Sequence, residues 1–494
     1  MFRIKPSHKA RLTRQSILHL IRALLLALTM AWSLTLAAEI KLDTHELDKI
    51  RKETGVAALA VVLVERNGSV LNYQTGVREW GGAAVDAHSV FRMGSVSKMF
   101  TGLTLLKAQE HGVLDLDTPI RNYLPANALK TSYENPWEQE QALTSAHLME
   151  HTAGWFDMSG LEFNHNDAKP LSLAEALALR PESRLSHWPP GLHSEYSNSG
   201  AGLAAYVLEQ AAQKAGIQQN FEQLAKRWVF EPLGMPSAEY QLTAAVKQHL
   251  VQGYDRDRKT EIPYWHIVFR PAGGLNVLPS DMAGMLSMLL NRGRVDDKVF
   301  LSPQQLERFE YPQTTLAARS GLRFGYGLGI YQSQIDGHTL FNHGGDADGY
   351  LSHLAYSPSS GRGYYAVVTA FDSRILGRVK DLLNAWVSKP LQPVKAPVEY
   401  ALNESEYQSL VGTYYRASTR FPRANWQQQA LRIRYRDGRL YTQEGNGRQR
   451  PLLAVNAQHF RRPWETEATA ALMQQADGRV VLQGNMGNWV KPAP

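Results

Sequence analysis

The first pattern along the chain is a pair of apolar segments that predicts a β-hairpin. Residues 56–64 are almost continuously apolar, and residues 70–76 have a strand-like composition. Between them lie Asn67 and Gly68, which favour the left-handed backbone of a tight hairpin turn. A short polar helix over residues 42–54 is predicted to precede this hairpin.

The next apolar spacing predicts a helix that begins near Ser95. Met99, Leu103 and Leu106 recur at helical intervals, and Gly112 is suited to ending the helix. The side chains near its start would therefore sit on the first helical turn.

The central part of the chain is predicted to hold helices first and strands afterwards. Strands at both ends with helices between them indicate an α+β fold whose sheet brings the two ends together. The clearest predicted helices are 201–215, 281–291 and 375–387, and the predicted strands are 326–332, 339–342, 350–357 and 364–370.

A change of composition then marks residues 389–399 as a predicted linker. Its prolines remove backbone donors and favour an extended chain. In residues 400–494, short strand-like runs alternate with Asp-Gly and Asn-Gly turns. This pattern predicts a small all-β domain after a larger domain over residues 39–388.

The composition of the 494-residue chain is that of a globular protein, with 44% hydrophobic and 20% charged residues. It has no cysteine, which excludes disulfides, thiolate-bound zinc, iron–sulfur clusters and a cysteine nucleophile. Its chemistry therefore depends on oxygen and nitrogen groups, and we expect neither a metal nor a cofactor.

The first 38 residues have the order of a secretory signal peptide. Six basic residues and no acid lie there, and an apolar run over residues 23–38 ends with Thr35, Ala37 and Ala38, which are suited to cleavage. The run is shorter than a spanning helix needs. We therefore predict that residues 1–38 direct the protein to the periplasm or the medium. The alternative is that the signal stays uncleaved and anchors the protein, and this is the only membrane attachment that we predict.

The formal charge of +7 does not indicate a nucleic-acid-binding protein. The six N-terminal basic residues carry most of this charge, and the remaining chain is close to neutral. The large central part has no basic stripe with aromatic residues between the charges. We therefore expect a small-molecule or peptide substrate and no nucleic acid.

Ser95 and Lys98 form the sharpest chemical motif in the sequence. A serine hydroxyl is a weak nucleophile at neutral pH and needs a neighbouring base. A lysine three positions later on a helix lies on the same face, close enough to share the proton. Ser95 would also stand at the positive end of the helix, where backbone N–H groups can hold a developing oxyanion. This is the only SxxK in the chain, although a surface lysine after a helix cap would give the same short pattern.

Two further motifs follow in order and make the pattern specific. Tyr196 and Asn198 form a YxN at the entry to a predicted helix, and His343 and Gly345 form an HxG after a strand-like run. With these three motifs, residues 42–388 resemble the serine β-lactamase and penicillin-binding-protein-like superfamily, and within it the branch of class C β-lactamases, esterases and D-amino-acid peptidases. The implied fold is a β-lactamase/transpeptidase-like antiparallel sheet with helices on both sides. The tail resembles the lipocalin-like β domains appended to some members.

The resemblance implies a role for each motif residue. Ser95 is implied as the acylated nucleophile, Lys98 as the group that accepts or stabilises its proton, and Tyr196 as a general base that also acts on the leaving group. Asn198 is implied to bind the acyl side of the substrate, and the backbone N–H groups of Ser95 and Asp346 to form the oxyanion hole. Lys98 and Tyr196 should then shift each other's pKa, because a nearby ammonium favours phenolate.

His343 is the informative departure from the superfamily pattern. β-Lactamases and cell-wall peptidases of the superfamily usually have lysine there, a fixed charge that helps to bind the substrate carboxylate, whereas neutral histidine supplies much less. Gly345 closes the HxG triplet, and the resemblance implies that His343, Gly345 and Asp346 bind the substrate. Asp346 and Asp348 follow beside the expected acyl site, where they would favour an amine-bearing substrate.

Three other features of the sequence have less weight. Tyr133 and Asn135 form a second YxN in a loop, and His343 with the nearby aspartates allows an alternative reading as a metal site. His151 lies in a segment that the resemblance identifies as a structural turn.

Together these features predict an exported serine hydrolase that cleaves an ester or an amide, with D-amino-acid-containing peptides as one subclass, through an acyl-enzyme on Ser95. One alternative is a class C-like β-lactamase or DD-peptidase. An alternative of another kind is a non-catalytic binding or scaffolding module. Covalent reactivity of Ser95 distinguishes the hydrolases from the module.

Overall fold

The computed structural model describes residues 39–158, 160–163 and 169–493. The predicted signal segment, residues 1–38, lies outside the described residues. Within the described ranges, no helix is both long enough and apolar enough to cross a membrane.

Most strands belong to two large sheets, one in the central part of the chain and one near its C-terminus. The strands of the described residues, in chain order, are β1 (Ala58–Glu65), β2 (Val70–Gly76), β3 (Phe91–Arg92), β4 (Gly253–Tyr254), β5 (Glu261–Ile262), β6 (Asn276–Val277), β7 (Arg294–Val295), β8 (Lys298–Val299), β9 (Tyr331–Ile335), β10 (His338–Ala347), β11 (Tyr350–Ser357), β12 (Arg362–Val368), β13 (Gly412–Arg416), β14 (Ala430–Arg436), β15 (Arg439–Glu444), β16 (Arg450–Ala454), β17 (His459–Arg461), β18 (Ala470–Gln474), β19 (Val480–Gly484) and β20 (Trp489–Lys491).

Most of the helices lie before β9 in the chain. The α-helices of the described residues are α1 (Thr44–Thr54), α2 (Ser97–Glu110), α3 (Ala126–Ser132), α4 (Ser145–Met149), α5 (Gly160–Phe163), α6 (Leu173–Ala178), α7 (Asn198–Lys214), α8 (Phe221–Ala225), α9 (Ala244–His249), α10 (Arg270–Gly273), α11 (Met282–Leu290), α12 (Pro303–Glu310), α13 (Leu316–Arg319), α14 (Ser373–Ser388) and α15 (Glu404–Leu410). A π-helical turn, Lys226–Phe230, follows α8, and a 3₁₀ turn, Gly94–Val96, precedes α2.

The central sheet has six antiparallel strands in the order β2-β1-β12-β11-β10-β9. β1 pairs with β2 through the predicted hairpin. On its other side β1 pairs with β12, so that Leu59 lies opposite Val368. The prediction that one sheet brings together the two ends of this unit is therefore confirmed.

β1 is buried on both faces because helices cover the sheet on both sides. Val62 and Val64 belong to one apolar core together with residues of α2, α7 and α11. Leu59 and Leu63 point to the opposite face and pack into a second core with α1 and α14. A nearly unbroken apolar strand is what such a three-layer arrangement requires. The predicted α+β fold, with helices on both sides of an antiparallel sheet, is confirmed.

The segment before β9 differs from its prediction. Apolar residues and glycines alternate over residues 326–332 and predict a strand, but β9 begins only at Tyr331. The preceding residues run against α2 instead, since a Cβ on Gly102 would lie 1.9 Å from the Leu328 carbonyl oxygen. Here the small residues permit a close approach of two backbones, and the alternation does not produce a strand.

The eight strands near the C-terminus form a closed antiparallel barrel. Strands that are neighbours in the chain pair in order from β13 to β20, and β13 pairs with β20 to close the barrel. Its interior holds Tyr414, Phe460, Leu482 and Trp489. The predicted all-β character of this region is confirmed. Residues 391–403, which precede it, have no regular secondary structure.

Candidate active site

Ser95 lies on a tight turn at the start of α2. Gly94 has a left-handed backbone with φ of +56°, and the 3₁₀ turn over Gly94–Val96 leads directly into the helix. The Ser97 hydroxyl donates a 2.6 Å hydrogen bond to the Gly94 carbonyl oxygen and closes this turn. The Ser95 side chain is therefore presented at a helix N-terminus, where backbone N–H groups have no partner within the helix.

Lys98 lies one turn further along α2 and is fully buried. Its Nζ is 3.2 Å from Ser95 Oγ, 2.7 Å from Asn198 Oδ1 and 2.6 Å from the Ala272 carbonyl oxygen. Burial lowers the pKa of Lys98 to about 7, even though the nearby Asp157 carboxylate acts in the opposite direction. Near neutral pH, much of this lysine is therefore uncharged.

The three contacts of Nζ fit an uncharged amine. A neutral amine has two N–H donors and one lone pair. The oxygens of Asn198 and Ala272 can each accept one N–H, which leaves the lone pair for the hydroxyl proton of Ser95. In this arrangement Lys98 can take the proton that Ser95 loses when it attacks a carbonyl carbon.

Tyr196 lies beside Ser95 and just before α7. Its ring centroid is 4.8 Å from Lys98 Nζ, and its hydroxyl is hydrogen-bonded to Ser95. Burial raises the pKa of Tyr196 above its usual value, and the hydrogen bond with Ser95 opposes this only in part. The lowered tyrosine pKa expected from the sequence is therefore not found. The physical reason is that the lysine loses much of its charge to burial, so it provides little stabilisation for a phenolate.

His151 supports the position of the tyrosine ring. The ring centroids of His151 and Tyr196 are 4.3 Å apart, and His151 Nδ1 accepts a 3.2 Å hydrogen bond from the Ser197 backbone N–H. The imidazole is buried. It therefore contacts the tyrosine of the YxN motif from a turn to which the sequence assigns a structural role.

Asn198 is the first residue of α7, which begins three residues earlier than predicted. Its side-chain Nδ2 donates to Asp157 Oδ2 at 3.0 Å, and its backbone N–H donates to Asp157 Oδ1 at 2.7 Å. A carboxylate at this position also complements the positive end of the helix. Because Asp157 binds the NH₂ group, the amide oxygen of Asn198 faces Lys98.

Gly345 and Asp346 lie on β10, which runs beside the turn that holds Ser95. A Cβ on Gly345 would lie 2.0 Å from the Met93 carbonyl oxygen, so a residue with a side chain would force the strand away. A Cβ on Gly94 would lie 2.4 Å from the Asp346 backbone nitrogen. The close packing of these two segments brings the Asp346 amide to the place where an oxyanion hole with Ser95 is expected.

His343 is 2% exposed and carries no charge at neutral pH. Its Nδ1 donates to the Gly344 carbonyl oxygen at 2.6 Å. Burial, together with a smaller effect of the nearby Lys98, lowers the pKa of His343 to about 3. The fixed cation that a lysine would provide at this position is therefore missing, in agreement with the sequence interpretation.

The side chains of the three motifs meet at one cavity of about 530 Å³. Ser95, Tyr196, Asn198 and His343 all line it. Apolar and aromatic residues also line the cavity, namely Trp265, Ile267, Val268, Phe269 and Phe371. A cavity of this size with a few convergent polar groups is typical of a small-molecule site or of a pocket for the end of a peptide.

Asp346 and Asp348 place two carboxylates at the same cavity. Loss of hydration in the cleft, together with the neighbouring carboxylate, raises the pKa of Asp346 to about 6. Loss of hydration also raises the pKa of Asp348. In the part of the chain that the structure describes, no three His, Asp or Glu side chains are grouped so that they could hold a metal ion.

The second YxN does not share this site. Tyr133 and Asn135 are not among the described residues that line the cavity. The Asn135 amide instead donates to Glu138 Oε2 at 2.9 Å and to the Gln141 carbonyl at 2.8 Å, which holds its own loop.

The structure adds two residues that sequence analysis does not identify, Asp157 and Arg420. Arg420 lies in the connection between β13 and β14, residues 417–429, yet its guanidinium carbon is 4.5 Å from the Tyr196 ring centroid. Its Nε and Nη2 donate to Asp157 Oδ2 at 2.8 Å and 2.6 Å. The one sequence feature that could have drawn attention to Arg420 is the length of the connection between β13 and β14, which is longer than a hairpin turn needs.

Comparison with known proteins identifies the family. Residues 44–382 match the family model described as Beta-lactamase. The human protein beta-lactamase-like 1 is 26% identical over 336 residues, which are 65% of this chain and 63% of that protein, so this chain spans less than two thirds of that relative's length. The D-alanyl-D-alanine-carboxypeptidase/endopeptidase AmpH of Escherichia coli K12 is 22% identical over 361 residues, or 69% of this chain and 87% of that protein.

A solved structure shows the same fold over most of the chain. The octameric penicillin-binding protein homologue from Pyrococcus abyssi aligns with a TM-score of 0.56 and 19% identity, and the alignment covers 90% of this chain and 98% of that one. The family model spans well over half of the chain, and residues of the three motifs line one cavity. The chain therefore belongs to the beta-lactamase family.

Proposed function

We propose that this protein is a serine hydrolase that cleaves an ester or an amide through an acyl-enzyme on Ser95. The observation that carries the proposal is a buried Lys98, with a pKa near 7, whose Nζ lies 3.2 Å from Ser95 Oγ. A buried base with a strongly shifted pKa next to a nucleophile, at a cavity, is the arrangement that covalent catalysis requires. Membership of the beta-lactamase family supports the same reaction class.

In the proposed acylation, Lys98 takes the hydroxyl proton while Ser95 Oγ bonds to the substrate carbonyl carbon. The backbone N–H groups of Ser95 and Asp346 hold the resulting oxyanion. Tyr196 keeps its proton near neutral pH because its pKa is raised. It can therefore donate that proton to the leaving group and regain one from Lys98, so that the alcohol or amine leaves neutral. Water then attacks the acyl-enzyme, and the same groups carry the proton in reverse.

We also propose that the hydrolase is exported, on the strength of residues 1–38. Their basic start, apolar run and small residues have the order of a secretory signal.

A fluorophosphonate probe tests the hydrolase proposal directly. We expect intact mass spectrometry to show one adduct per chain after exposure, and peptide mapping to place it on Ser95, because this reagent reacts with activated serine hydroxyls. Labelling should become faster as the pH rises through about 7, since the neutral form of Lys98 is the base. A folded, soluble protein that takes up no adduct would overturn the proposal and favour the binding or scaffolding module.

The two carboxylates of the cavity support a substrate with a free amine. Asp346 is negatively charged above pH of about 6, and an ammonium bound near it would gain roughly 1–2 kcal/mol in a partly hydrated cleft. We expect the free-amine form of one D-amino-acid amide to have a kcat/KM about tenfold higher than its N-acetyl form at pH 8. The preference should decrease as the pH falls through 6, because protonation removes the charge of Asp346.

The matched variants are Asp346→Asn and Asp297→Asn. Asp297 is an exposed acid that is not among the described residues lining the cavity, so its variant should keep the preference for the free amine. Asp346→Asn should lose most of it. Equal rates on the two substrates with the unmodified enzyme would contradict recognition of an amine by these acids.

A second candidate, a DD-peptidase or class C-like β-lactamase, is favoured by Arg420. This side chain places a cation at the cavity in a site where His343 offers none, and a substrate carboxylate could bind there. Its charge is offset by the Asp157 carboxylate, whose Oδ2 accepts two of its N–H groups, which is why we prefer the first candidate. Faster cleavage of a peptide ending in D-alanyl-D-alanine than of its C-terminal amide would reverse this preference.

A further inference from the structure

Part of the barrel docks directly beside the candidate nucleophile. The Asp157 backbone N–H donates to the Arg420 carbonyl oxygen at 2.9 Å. The Ser418 hydroxyl donates to Glu195 Oε1 at 2.7 Å, next to Tyr196. These contacts hold the connection between β13 and β14 against Asp157 and against Glu195, the residue before Tyr196.

Asp157 is the residue through which this contact can affect the chemistry. Its side chain is fully buried, and it accepts hydrogen bonds from the backbone N–H groups of Met158 and Asn198 at 2.8 Å and 2.7 Å. A buried carboxylate is costly unless a cation and hydrogen bonds compensate it. Within the described residues, Arg420 is the one cation that forms an ion pair with it.

A continuous chain of polar contacts connects the barrel with the nucleophile. It runs from the Arg420 guanidinium to the Asp157 carboxylate, from there to the Asn198 amide, and from that amide oxygen to Lys98 Nζ beside Ser95. Each contact fixes the orientation of the next group. Two guanidinium N–H groups hold Asp157 Oδ2, and backbone N–H groups hold Oδ1. The carboxylate in turn determines which end of the Asn198 amide faces the lysine.

We infer that Arg420, carried by the barrel, is a positioning residue of the hydrolase site, acting on Lys98 and Ser95 through Asp157 and Asn198. The inference rests on the proposed function of Ser95. Without the guanidinium, the positive charge that opposes the effect of the Asp157 carboxylate on Lys98 is lost, and that effect favours the ammonium form, which cannot accept the serine proton. Asp157 Oδ2, which accepts from the Asn198 amide, also loses both of its guanidinium donors, so the orientation of that amide is less firmly held.

Two simpler roles for Arg420 make different predictions. If Arg420 bound a substrate carboxylate, its loss would raise KM for substrates that carry one and leave a neutral probe unaffected. If Arg420 only attached the barrel, its loss would lower the stability without moving the pH dependence of the chemical step. A positioning role should instead change both the rate with a neutral probe and the pH at which that rate is half-maximal.

The experiment measures the rate of fluorophosphonate labelling from pH 5 to 9 for the full chain and five variants. The variants are Arg420→Ala, Arg420→Lys, Asp157→Asn, the double variant Arg420→Ala with Asp157→Asn, and Arg423→Ala. Arg423 is exposed in the same connection and serves as the matched control. Thermal unfolding of each variant at each pH shows that the labelled protein is folded.

We expect Arg420→Ala to label about 10- to 100-fold more slowly at pH 7, because a small displacement of the reacting groups costs rates of this size. Its half-maximal pH should rise, since Arg420 lowers the pKa of Lys98 and Asp157 raises it. Asp157→Asn should move the half-maximal pH downward, and the double variant should return it towards that of the unmodified protein. Arg420→Lys should recover part of the rate, and Arg423→Ala should match the unmodified protein.

The other titratable groups around Lys98 do not account for such shifts. His151 and His343 face it, but burial holds the pKa of both far below 7, and Tyr196 stays protonated. A folded Arg420→Ala with an unchanged rate and an unchanged half-maximal pH would overturn the inference while the labelling of the unmodified protein still supports the hydrolase. If the unmodified protein does not label at all, the proposed function fails and the inference fails with it. If Arg420→Ala does not fold, the test rests on Arg420→Lys and Asp157→Asn. Half-maximal pH values that move in the same direction in these two variants would overturn the inference.

Discussion

Replacing Ser95 by alanine should abolish turnover and leave the fold intact. Without the hydroxyl there is no oxygen to form the acyl-enzyme, and loss of a serine nucleophile typically lowers kcat by about 10⁴- to 10⁶-fold. The fold should persist because the turn that holds residue 95 depends on the left-handed Gly94 and on the Ser97 hydroxyl, neither of which changes. The measurement is kcat/KM on an activated ester, together with the thermal unfolding midpoint.

Ser359→Ala is the matched control for this variant. Ser359 is exposed in a surface turn between β11 and β12, and its variant should retain both full activity and full stability. Ser95→Ala should also take up no fluorophosphonate. Undiminished turnover by a folded Ser95→Ala would show that a different group performs the reaction.

Replacing Lys98 by methionine should have the second-largest effect, a loss of about 10²- to 10⁴-fold in the rate of acylation. Methionine fills a similar volume but has neither the lone pair that accepts the serine proton nor the N–H groups that bind Asn198 and Ala272. The rate of the unmodified enzyme should increase as the pH rises through about 7, where the buried amine loses its proton. The variant should lack this dependence, so the ratio of the two rates should be larger at pH 8 than at pH 6.

Lys107→Met, on the same helix, provides the comparison. Lys107 Nζ donates to Glu110 at 2.7 Å and to the Phe300 carbonyl at 3.1 Å, and it is not among the described residues lining the cavity. Its replacement should cost some stability and leave the pH dependence of labelling unchanged. A Lys98→Met that keeps the increase through pH 7 would assign this titration to another group.

The parts of the fold that follow from local patterns were predictable. The hairpin of β1 and β2 depends on an apolar run and an Asn-Gly turn within about twenty residues, and both features stand in the sequence. The alternation over residues 326–332 was misleading because an alternating pattern describes the order of the side chains and does not show what the backbone contacts. The glycines there permit a backbone contact with α2 instead, and that contact depends on a partner more than 200 residues away.

The candidate site divides in the same way. Ser95 and Lys98 could be identified from their spacing, since one helical turn brings them together wherever the helix lies. The raised pKa of Tyr196 could not be predicted from the sequence, because it depends on how deeply tertiary packing buries the ring and on the loss of charge of Lys98. Asp157 and Arg420 are separated by 263 positions, and no local pattern links an acid in a loop to an arginine in a barrel.

The pairing of β1 with β12 also has a consequence for how the chain folds. The Ala58 backbone N–H donates to the Thr369 hydroxyl across 311 positions, so the largely apolar β1 cannot gain its second neighbour until almost the whole central unit has been synthesised. Closing so long a loop is slow, and topologies rich in such distant contacts fold on the slower end of the known range. Until then, one edge of β1 offers unpaired backbone groups between apolar side chains, a combination that promotes aggregation. We therefore expect refolding yields that fall steeply with protein concentration.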